Sequence, residues 1–164
     1  MIRESDQLVR VSYFYLASSR MTEAMNVGLL LLLPYRAMET RVFDGLAAAG
    51  FDDFTPAQAR VFQRIASTGS RLTELAAQAG ITKQSAGFLV DQLERAGYVE
   101  RVPDPADGRA RLVRVAERGA SSVEASRRIV AEVEAEWTAH LGEQRMRQLR
   151  HILTDLREIT DPWR

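Results

Sequence analysis

The strongest constraint on the fold lies in residues 72–115, where the sequence predicts two short helices, a tight turn between them and a two-stranded ribbon after them. Thr82 is a good N-cap for the second helix, and Gly97 ends it. The apolar residues of this helix recur at three- and four-residue steps, at Ala86, Leu89, Val90, Leu93 and Ala96. One face of the helix is therefore expected to be buried and the other exposed.

The exposed face of the second helix is polar at its start. It carries Lys83, Gln84, Gly87, Phe88, Asp91 and Arg95. The N-terminus of a helix favours phosphate, and an α-helix fits the major groove of DNA. The residues expected to contact DNA here are Thr82, Lys83, Gln84, Ser85, Gly87 and Phe88.

These candidate contacts differ in their chemistry. Gln84 can form two hydrogen bonds with adenine, whereas Lys83 and Ser85 suit either a base or a phosphate. Phe88 has two interpretations: it contacts thymine methyl groups, or it packs beside the core. Gly87 would permit close approach to DNA at a cost of about 1 kcal/mol of helix stability.

The segments on either side of the second helix complete the unit. Thr73 is the predicted N-cap of the first helix, and Gly80 ends that helix in a left-handed conformation. After the second helix, residues 98–102 and 111–115 are rich in strand-forming residues, and the turn-rich segment 103–110 lies between them. Two strands around a tip that carries arginine predict a wing.

Taken in this order, the residues resemble the winged helix-turn-helix of MarR-type transcriptional regulators. The resemblance rests on the run LTELAAQAGITKQSAGFLVDQLERAGYVERVPDPADGRARLVRV, which contains a Leu-Ala pair at 75–76, Leu-Glu-x-x-Gly-Tyr-Val-x-Arg at 93–101 and Asp-x-Arg at 107–109. It covers roughly residues 21–160. It implies a cytoplasmic homodimer that binds double-stranded DNA and releases it on binding phenolic or aromatic-acid effectors.

The resemblance also implies roles for residues of the wing. Arg109 is expected to enter the minor groove and Asp107 to orient it, while Arg111 contacts phosphate or faces solvent. Gly87 and Phe88 stand where MarR-type recognition helices commonly carry polar or basic residues. The resemblance therefore does not extend to the operator sequence.

The composition suits one globular protomer and excludes several kinds of site. A chain of 164 residues, with 46% apolar and 27% charged residues, can bury one core and is too short for two ordinary domains. The absence of cysteine excludes disulfides and thiol redox sensing, and His140 and His151 lack the spacing of a helical zinc pair. No sequence motif of a phosphate loop, nucleophile elbow or zinc hydrolase is present, so neither an enzyme nor a cofactor is expected.

The formal net charge is zero, but the charge is unevenly distributed. Residues 55–115 contain nine basic residues, which are Arg60, Arg64, Arg71, Lys83, Arg95, Arg101, Arg109, Arg111 and Arg114. The same segment contains six acidic residues, which are Glu74, Asp91, Glu94, Glu100, Asp104 and Asp107. DNA binding by this segment is therefore expected to be local and sensitive to salt.

Helices are expected on both sides of the wing unit. A long helix towards residue 49 begins at residue 22, and Pro34 should kink it or divide it in two. Thr55-Pro56 should start a short helix that braces the recognition unit. Residues 117–141 and 143–160 then form two amphipathic helices.

The apolar faces of the first helix and the last two helices have no domain of their own to pack against, which predicts a second copy as their partner. We therefore expect a mainly α protein with a small β-wing. Its single domain would cover residues 22–160, with the winged helix-turn-helix at about 55–115 and the dimerisation helices at about 22–50 and 117–160. Residues 1–21 would either form an extension that packs on the dimer body, or lie upstream of a true start codon at Met21.

The effector pocket implied by the resemblance is not located by the sequence. Tyr35, Met38, Phe43 and Trp137 are its candidate residues, although aromatic and methionine residues at helical spacing also suit a core. The predicted function is a ligand-responsive repressor that binds an inverted-repeat operator. The alternative is a winged-helix dimer used only for protein contacts, which would favour an acidic or apolar recognition face.

Overall fold

A computed structural model describes residues 25–163, and the chain divides into two units, Met1–Arg36 and Ala37–Arg164. The elements in chain order are α1 (Val27–Ala48), α2 (Pro56–Phe62), β1 (Ser70–Arg71), α3 (Leu72–Ala79), α4 (Lys83–Arg95), β2 (Val99–Asp104), β3 (Asp107–Val115), α5 (Glu117–Leu141) and α6 (Glu143–Thr160). Helices with one small antiparallel sheet confirm the predicted fold class. The extension predicted at 1–21 lies outside the described residues.

Helix α1 begins after Asn26, whose Oδ1 accepts a hydrogen bond from the Leu29 N–H at 3.0 Å. Pro34 lies inside this helix, which continues through it. Proline removes a single backbone donor, so of the two effects predicted for Pro34 the division into two helices does not occur. Among residues 25–163, no helix is both long and apolar enough to cross a membrane.

Helix α2 begins at Thr55-Pro56, as predicted. The Gln58 N–H donates to Thr55 Oγ1 at 3.3 Å, and the Thr55 N–H donates to Gln58 Oε1 at 2.7 Å, which completes a capping box. The Gln58 side-chain amide also donates to Gln92 Oε1 of α4 at 3.3 Å. Helix α2 therefore braces α4.

Helix α3 has a different cap from the one that the sequence predicts. Thr73 lies within its first turn, and the N-cap position is held by Arg71, whose N–H donates to Glu74 Oε2 at 3.0 Å. The prediction for Thr73 is wrong because β1 pairs with β3 and keeps the chain extended as far as Arg71. Gly80 ends α3 with φ of 66°, in the predicted left-handed conformation.

The sheet has the strand order β1-β3-β2, and all its pairs are antiparallel. The wing strands are longer than predicted, since β2 continues to Asp104 and β3 starts at Asp107. The segment 103–110, predicted as a tip, therefore belongs mostly to the strands. Backbone pairing continues past the residues with strong strand preference, and a two-residue strand such as β1 is too short to give a sequence pattern.

The core lies between the short helices and the sheet. Its buried cluster consists of Val61, Phe62, Leu75, Val90, Leu93, Tyr98, Val99 and Val113. The predicted buried stripe of α4 is confirmed, since Ala86, Val90 and Leu93 are fully buried, and Leu89 and Ala96 are partly buried against the core. This packing fixes which face of α4 remains exposed.

Helix α5 packs closely on the end of the wing strands at Gly119. A Cβ atom at this position would lie 2.2 Å from the Tyr98 carbonyl oxygen and 3.0 Å from Val115 Cγ1. Any side chain here would therefore push the helix away from the backbone of the winged unit.

Helices α5 and α6 have the predicted bounds, with the break at Gly142. Within α6, all of which the structure describes, no side chain is buried. Its apolar residues Ile152, Leu153, Leu156 and Ile159 are exposed, and Ile159 is 84% exposed. Helix α6 therefore presents an apolar face that its own protomer does not cover.

Candidate nucleic-acid interface

Helix α4, the second helix of the helix-turn-helix, has a well-formed N-terminus. The Ser85 N–H donates to Thr82 Oγ1 at 3.1 Å, and the two hydroxyl groups are 2.9 Å apart. Thr82 is therefore the N-cap that the sequence predicts. Its bond holds the first turn of α4 in place, and this turn carries Lys83 and Gln84.

The predicted contact residues of α4 lie on its exposed face. Thr82, Lys83, Gln84, Ser85 and Phe88 are exposed, and Gly87 is partly exposed. Phe88 is 60% exposed, which rules out the interpretation in which it packs beside the core. With Asp91, Glu94 and Arg95, it lines an open depression along the helix.

Arg109 lies in an irregular stretch of β3. The pairing with β2 shifts by three residues between Pro103 and Asp104, so residues 108–110 have no partner in β2. A bulge of this kind redirects side chains from their usual alternation. Asp107 Oδ1 accepts a hydrogen bond from the Arg109 N–H at 3.1 Å. Asp107 therefore holds the backbone of Arg109.

A buried carboxylate anchors the wing to the start of α3. Asp104 is only 7% exposed, and its Oδ2 accepts from Arg71 Nε at 2.8 Å and from Arg71 Nη2 at 2.6 Å. Asp104 Oδ1 accepts from the Ala106 N–H at 2.9 Å. The bond from Ala106, followed by that from Arg71, lowers the pKa of Asp104. The carboxylate therefore stays charged and holds both the turn and the helix start.

A second ion-pair cluster joins β2 to α4. The Arg101 guanidinium pairs with Asp91 at 2.6 Å and also with Glu94, and both carboxylates belong to α4. The Arg101 N–H donates to Glu94 Oε1 at 3.2 Å. This cluster neutralises negative charge on the helix that would otherwise repel phosphate.

The ion pairs determine which positive charges stay uncompensated. Four of the nine basic residues in 55–115 pair with carboxylates, namely Arg64, Arg71, Arg101 and Arg114. Within the described part of the chain, the other five form no such pair, and they are Arg60, Lys83, Arg95, Arg109 and Arg111. Four of these five lie on α4 or β3. The uncompensated charge is therefore concentrated on the recognition helix and the wing.

A third network joins the end of the winged unit to α5. Arg118 Nη1 donates to Asp53 Oδ2 and to the Ala96 carbonyl, both at 2.8 Å, and its guanidinium lies 4.5 Å from the centre of the Tyr98 ring. The Tyr98 hydroxyl donates to Asp53 Oδ1 at 2.6 Å. Burial, and then the bond to Asp53, raises the pKa of Tyr98, whereas Arg118 and then Tyr98 lower the pKa of Asp53.

These three networks were not predicted from the sequence. In two of them the partners are far apart in the chain: Asp104 lies 33 positions after Arg71, and Arg118 lies 65 positions after Asp53. In the third, Arg101 lies 7 and 10 positions from its partners Glu94 and Asp91, but they belong to different elements. Asp104 does precede Pro105 in a turn-rich segment, and this signal is consistent with its bond to the turn backbone. Nothing in the sequence points to its long-range partner.

The candidate effector residues are divided between the two units of the chain. Tyr35 belongs to the first unit, and Met38, Phe43 and Trp137 belong to the second. The Phe43 ring stacks on Phe54 with 6.4 Å between centroids, which favours a core role for Phe43. Among residues 25–163, no group of three or more acidic or histidine side chains is placed to hold a metal ion.

Comparison with known proteins settles the relationship of this winged unit. Residues 52–110, which include α2, the helix-turn-helix and the tip of the wing, match the sequence profile of the MarR family. This segment of the chain is therefore similar to MarR-family regulators. This match confirms the resemblance that the sequence motifs indicate.

Solved structures extend the MarR-family similarity beyond the winged unit. Wild-type MarR from E. coli, in its apo form, is 25% identical with a TM-score of 0.64, and the match covers 82% of this chain and 98% of that one. A transcriptional regulator from Thermotoga maritima is 26% identical with a TM-score of 0.58, covering 82% and 94%. No curated protein sequence matches the chain significantly. The chain thus has the fold of a MarR-family transcription regulator along most of its length.

Proposed function

We propose that this chain is a sequence-specific DNA-binding regulator of transcription that acts as a homodimeric repressor. The observation that carries the proposal is the distribution of uncompensated cations. Four cations lack carboxylate partners among the described residues: Lys83 and Arg95 on α4, and Arg109 and Arg111 on β3. By contrast, Arg71 is paired with Asp104, and Arg101 is paired with Asp91. Cations left free on a helix and a wing are suited to the grooves and phosphates of DNA.

A homodimer would give the operator its symmetry. Each protomer would place α4 in a major groove and its wing beside the adjacent minor groove. Two-fold symmetry then requires an inverted repeat with half-sites about one helical turn apart, roughly 34 to 36 Å. The exposed apolar residues of α6 support this assembly because they need a partner surface.

The direct test is selection of bound fragments from a random duplex library and from sheared genomic DNA at physiological salt. We expect an enriched inverted repeat and a specific footprint on both half-sites. The matched variants are Lys83→Ala, which removes an α4 cation, and Arg128→Ala, which removes an exposed cation from α5. Only Lys83→Ala should weaken operator binding. Absence of any enrichment would favour the protein-contact function instead.

Repression and effector response need separate measurements. We expect the protein to silence a reporter gene placed behind the selected operator. Increased expression of the reporter would contradict the repressor role. We also expect a phenolic acid such as salicylate, used as a probe of the effector class, to weaken operator binding in solution. Unchanged binding across a panel of phenolic and aromatic acids would contradict the proposed effector class and leave DNA recognition itself intact.

A further inference from the structure

Phe88 differs from the other exposed contact residues of α4 because its side chain has no hydrogen-bonding group. Its ring is 60% exposed, and it lies one helical turn after Gln84 on the face that the core leaves free. The buried positions of α4 are already filled, with Ala86 and Val90 fully enclosed. The core therefore gives no reason for a large apolar side chain at this position.

The surroundings of Phe88 leave its ring accessible. Gly87 presents no side chain beside it, and the carboxylate of Asp91, nearly one turn later, is paired with Arg101 at 2.6 Å. The depression that Phe88 lines is open to solvent. A base edge approaching the middle of α4 would thus meet an apolar surface with little uncompensated negative charge.

Among the base edges of the major groove, thymine alone carries an apolar group, its C5-methyl. We propose that Phe88 is a specificity-determining residue that contacts the C5-methyl group of a thymine in each operator half-site. This inference rests on the proposed function and deepens it, since it names the base selected by the middle of α4.

The helix geometry limits where this thymine lies. Four residues separate Phe88 from Gln84, which corresponds to about 6 Å along the helix axis. Successive base pairs are about 3.4 Å apart. The thymine should therefore lie within about two base pairs of the base that Gln84 contacts.

The test uses the operator enriched from the random library by the wild-type protein. In each half-site, thymines are replaced one symmetric pair at a time by deoxyuridine, which pairs identically and lacks only the methyl group. Burial of one methyl-sized group corresponds to about fourfold in affinity, so loss from both half-sites should weaken wild-type binding by about fifteenfold. Thymines outside the half-sites serve as the position control.

Protein variants assign the effect to the ring. Phe88→Ala should bind the thymine and deoxyuridine operators equally, and Phe88→Leu should keep part of the preference because it retains an apolar side chain. At the same base pair, 5-methylcytosine should bind wild type better than cytosine does, and Phe88→Ala should not distinguish them. Thermal unfolding checks that both variants fold, as the exposure of Phe88 leads us to expect.

Two results would overturn the inference alone: a specific operator whose deoxyuridine forms all bind like the thymine form, or a Phe88→Ala protein that keeps the wild-type methyl preference. The second result would assign methyl recognition to another side chain. Failure of the library to yield any enriched sequence is a different outcome, because it would overturn the proposed function and this inference with it.

Discussion

Arg109 combines a bulged position in β3 with a guanidinium that no carboxylate of the described residues neutralises. We expect Arg109→Ala to leave the fold and oligomeric state unchanged while weakening operator binding, most strongly where A·T-rich flanks narrow the minor groove. If each arginine displaces about one counterion, a dimer that loses two should show a slope of log K against log salt shallower by roughly 2. Binding isotherms across a salt series measure this slope.

The control for Arg109→Ala is Arg128→Ala, which removes a cation of the same type from α5. It should leave the salt slope unchanged. If Arg109→Ala also bound with wild-type affinity and slope, Arg109 would be a solvated residue and the wing only a hairpin.

Two helical glycines should respond in opposite ways to the same substitution. At Gly87 a Cβ would meet only Leu72 Cδ2 at 3.7 Å, so Gly87→Ala should stabilise the fold by up to about 1 kcal/mol. At Gly119 it would lie 2.2 Å from the Tyr98 carbonyl, so Gly119→Ala should destabilise by about 1 to 3 kcal/mol. Urea unfolding measures both values.

The Gly87→Ala protein also tests the contact with DNA. If α4 approaches the bases closely at this position, operator binding should weaken even though the fold becomes more stable. If Gly87→Ala and Gly119→Ala lost equal stability, the space available for a Cβ atom would not explain the effect of these substitutions on the free energy of unfolding.

At the scale of elements, ion pairs rather than apolar packing hold the wing tip. The pKa of Asp104 is lowered by the Ala106 N–H and by Arg71, so the folded state binds a proton less readily than the unfolded chain. The stabilisation from Asp104 should be complete above the unfolded pKa of about 4 and be lost as the pH falls through the lower folded value.

The corresponding variant is Asp104→Asn, compared with wild type by urea unfolding at several pH values. It should be less stable than wild type at pH 7, and the difference should shrink towards pH 3. A difference that stayed constant over this range would mean that the charge of Asp104 does not stabilise the wing. Asp107→Asn is a useful comparison, since Asp107 is more exposed and lies 3.9 Å from Arg71.

At the scale of the whole molecule, α6 should form part of a dimer interface. Leu156 belongs to its exposed apolar stripe, whereas Thr154 lies on the opposite side of the helix by its spacing. Leu156→Glu should yield monomers at micromolar concentration because a symmetric interface would contain the new charge twice, and Thr154→Glu should remain dimeric. Light scattering decides between these states.

Loss of the dimer should also reduce affinity for the full operator to that of a single half-site. A wild-type protein that is a folded monomer at micromolar concentration would contradict both the dimer and the symmetric operator. Because Leu156 and Thr154 are both exposed in the protomer, neither substitution should unfold it.

Features that depend on neighbouring residues could be predicted from the sequence alone. The caps at Thr55 and Thr82, the helix end at Gly80 and the bounds of α5 and α6 all rest on signals within about four residues, and the structure confirms them. The apolar stripe of α4 likewise determined which of its faces is buried. These are local choices between helix and turn, and local chemistry is enough to decide them.

Other features depend on which distant segments meet, and only the tertiary structure decided them. Because β1 pairs with β3, the chain stays extended as far as Arg71, and α3 is not capped by Thr73 as predicted. Strand β3 begins inside the predicted tip because Asp107 pairs with Asp104 of β2. The packing of the core set the distances between elements. It placed Arg71 within ion-pair distance of Asp104 and left Phe88 exposed. Backbone pairing and ion pairs between residues far apart in the chain leave no periodic trace in the sequence, so their outcome appears only when the chain is folded.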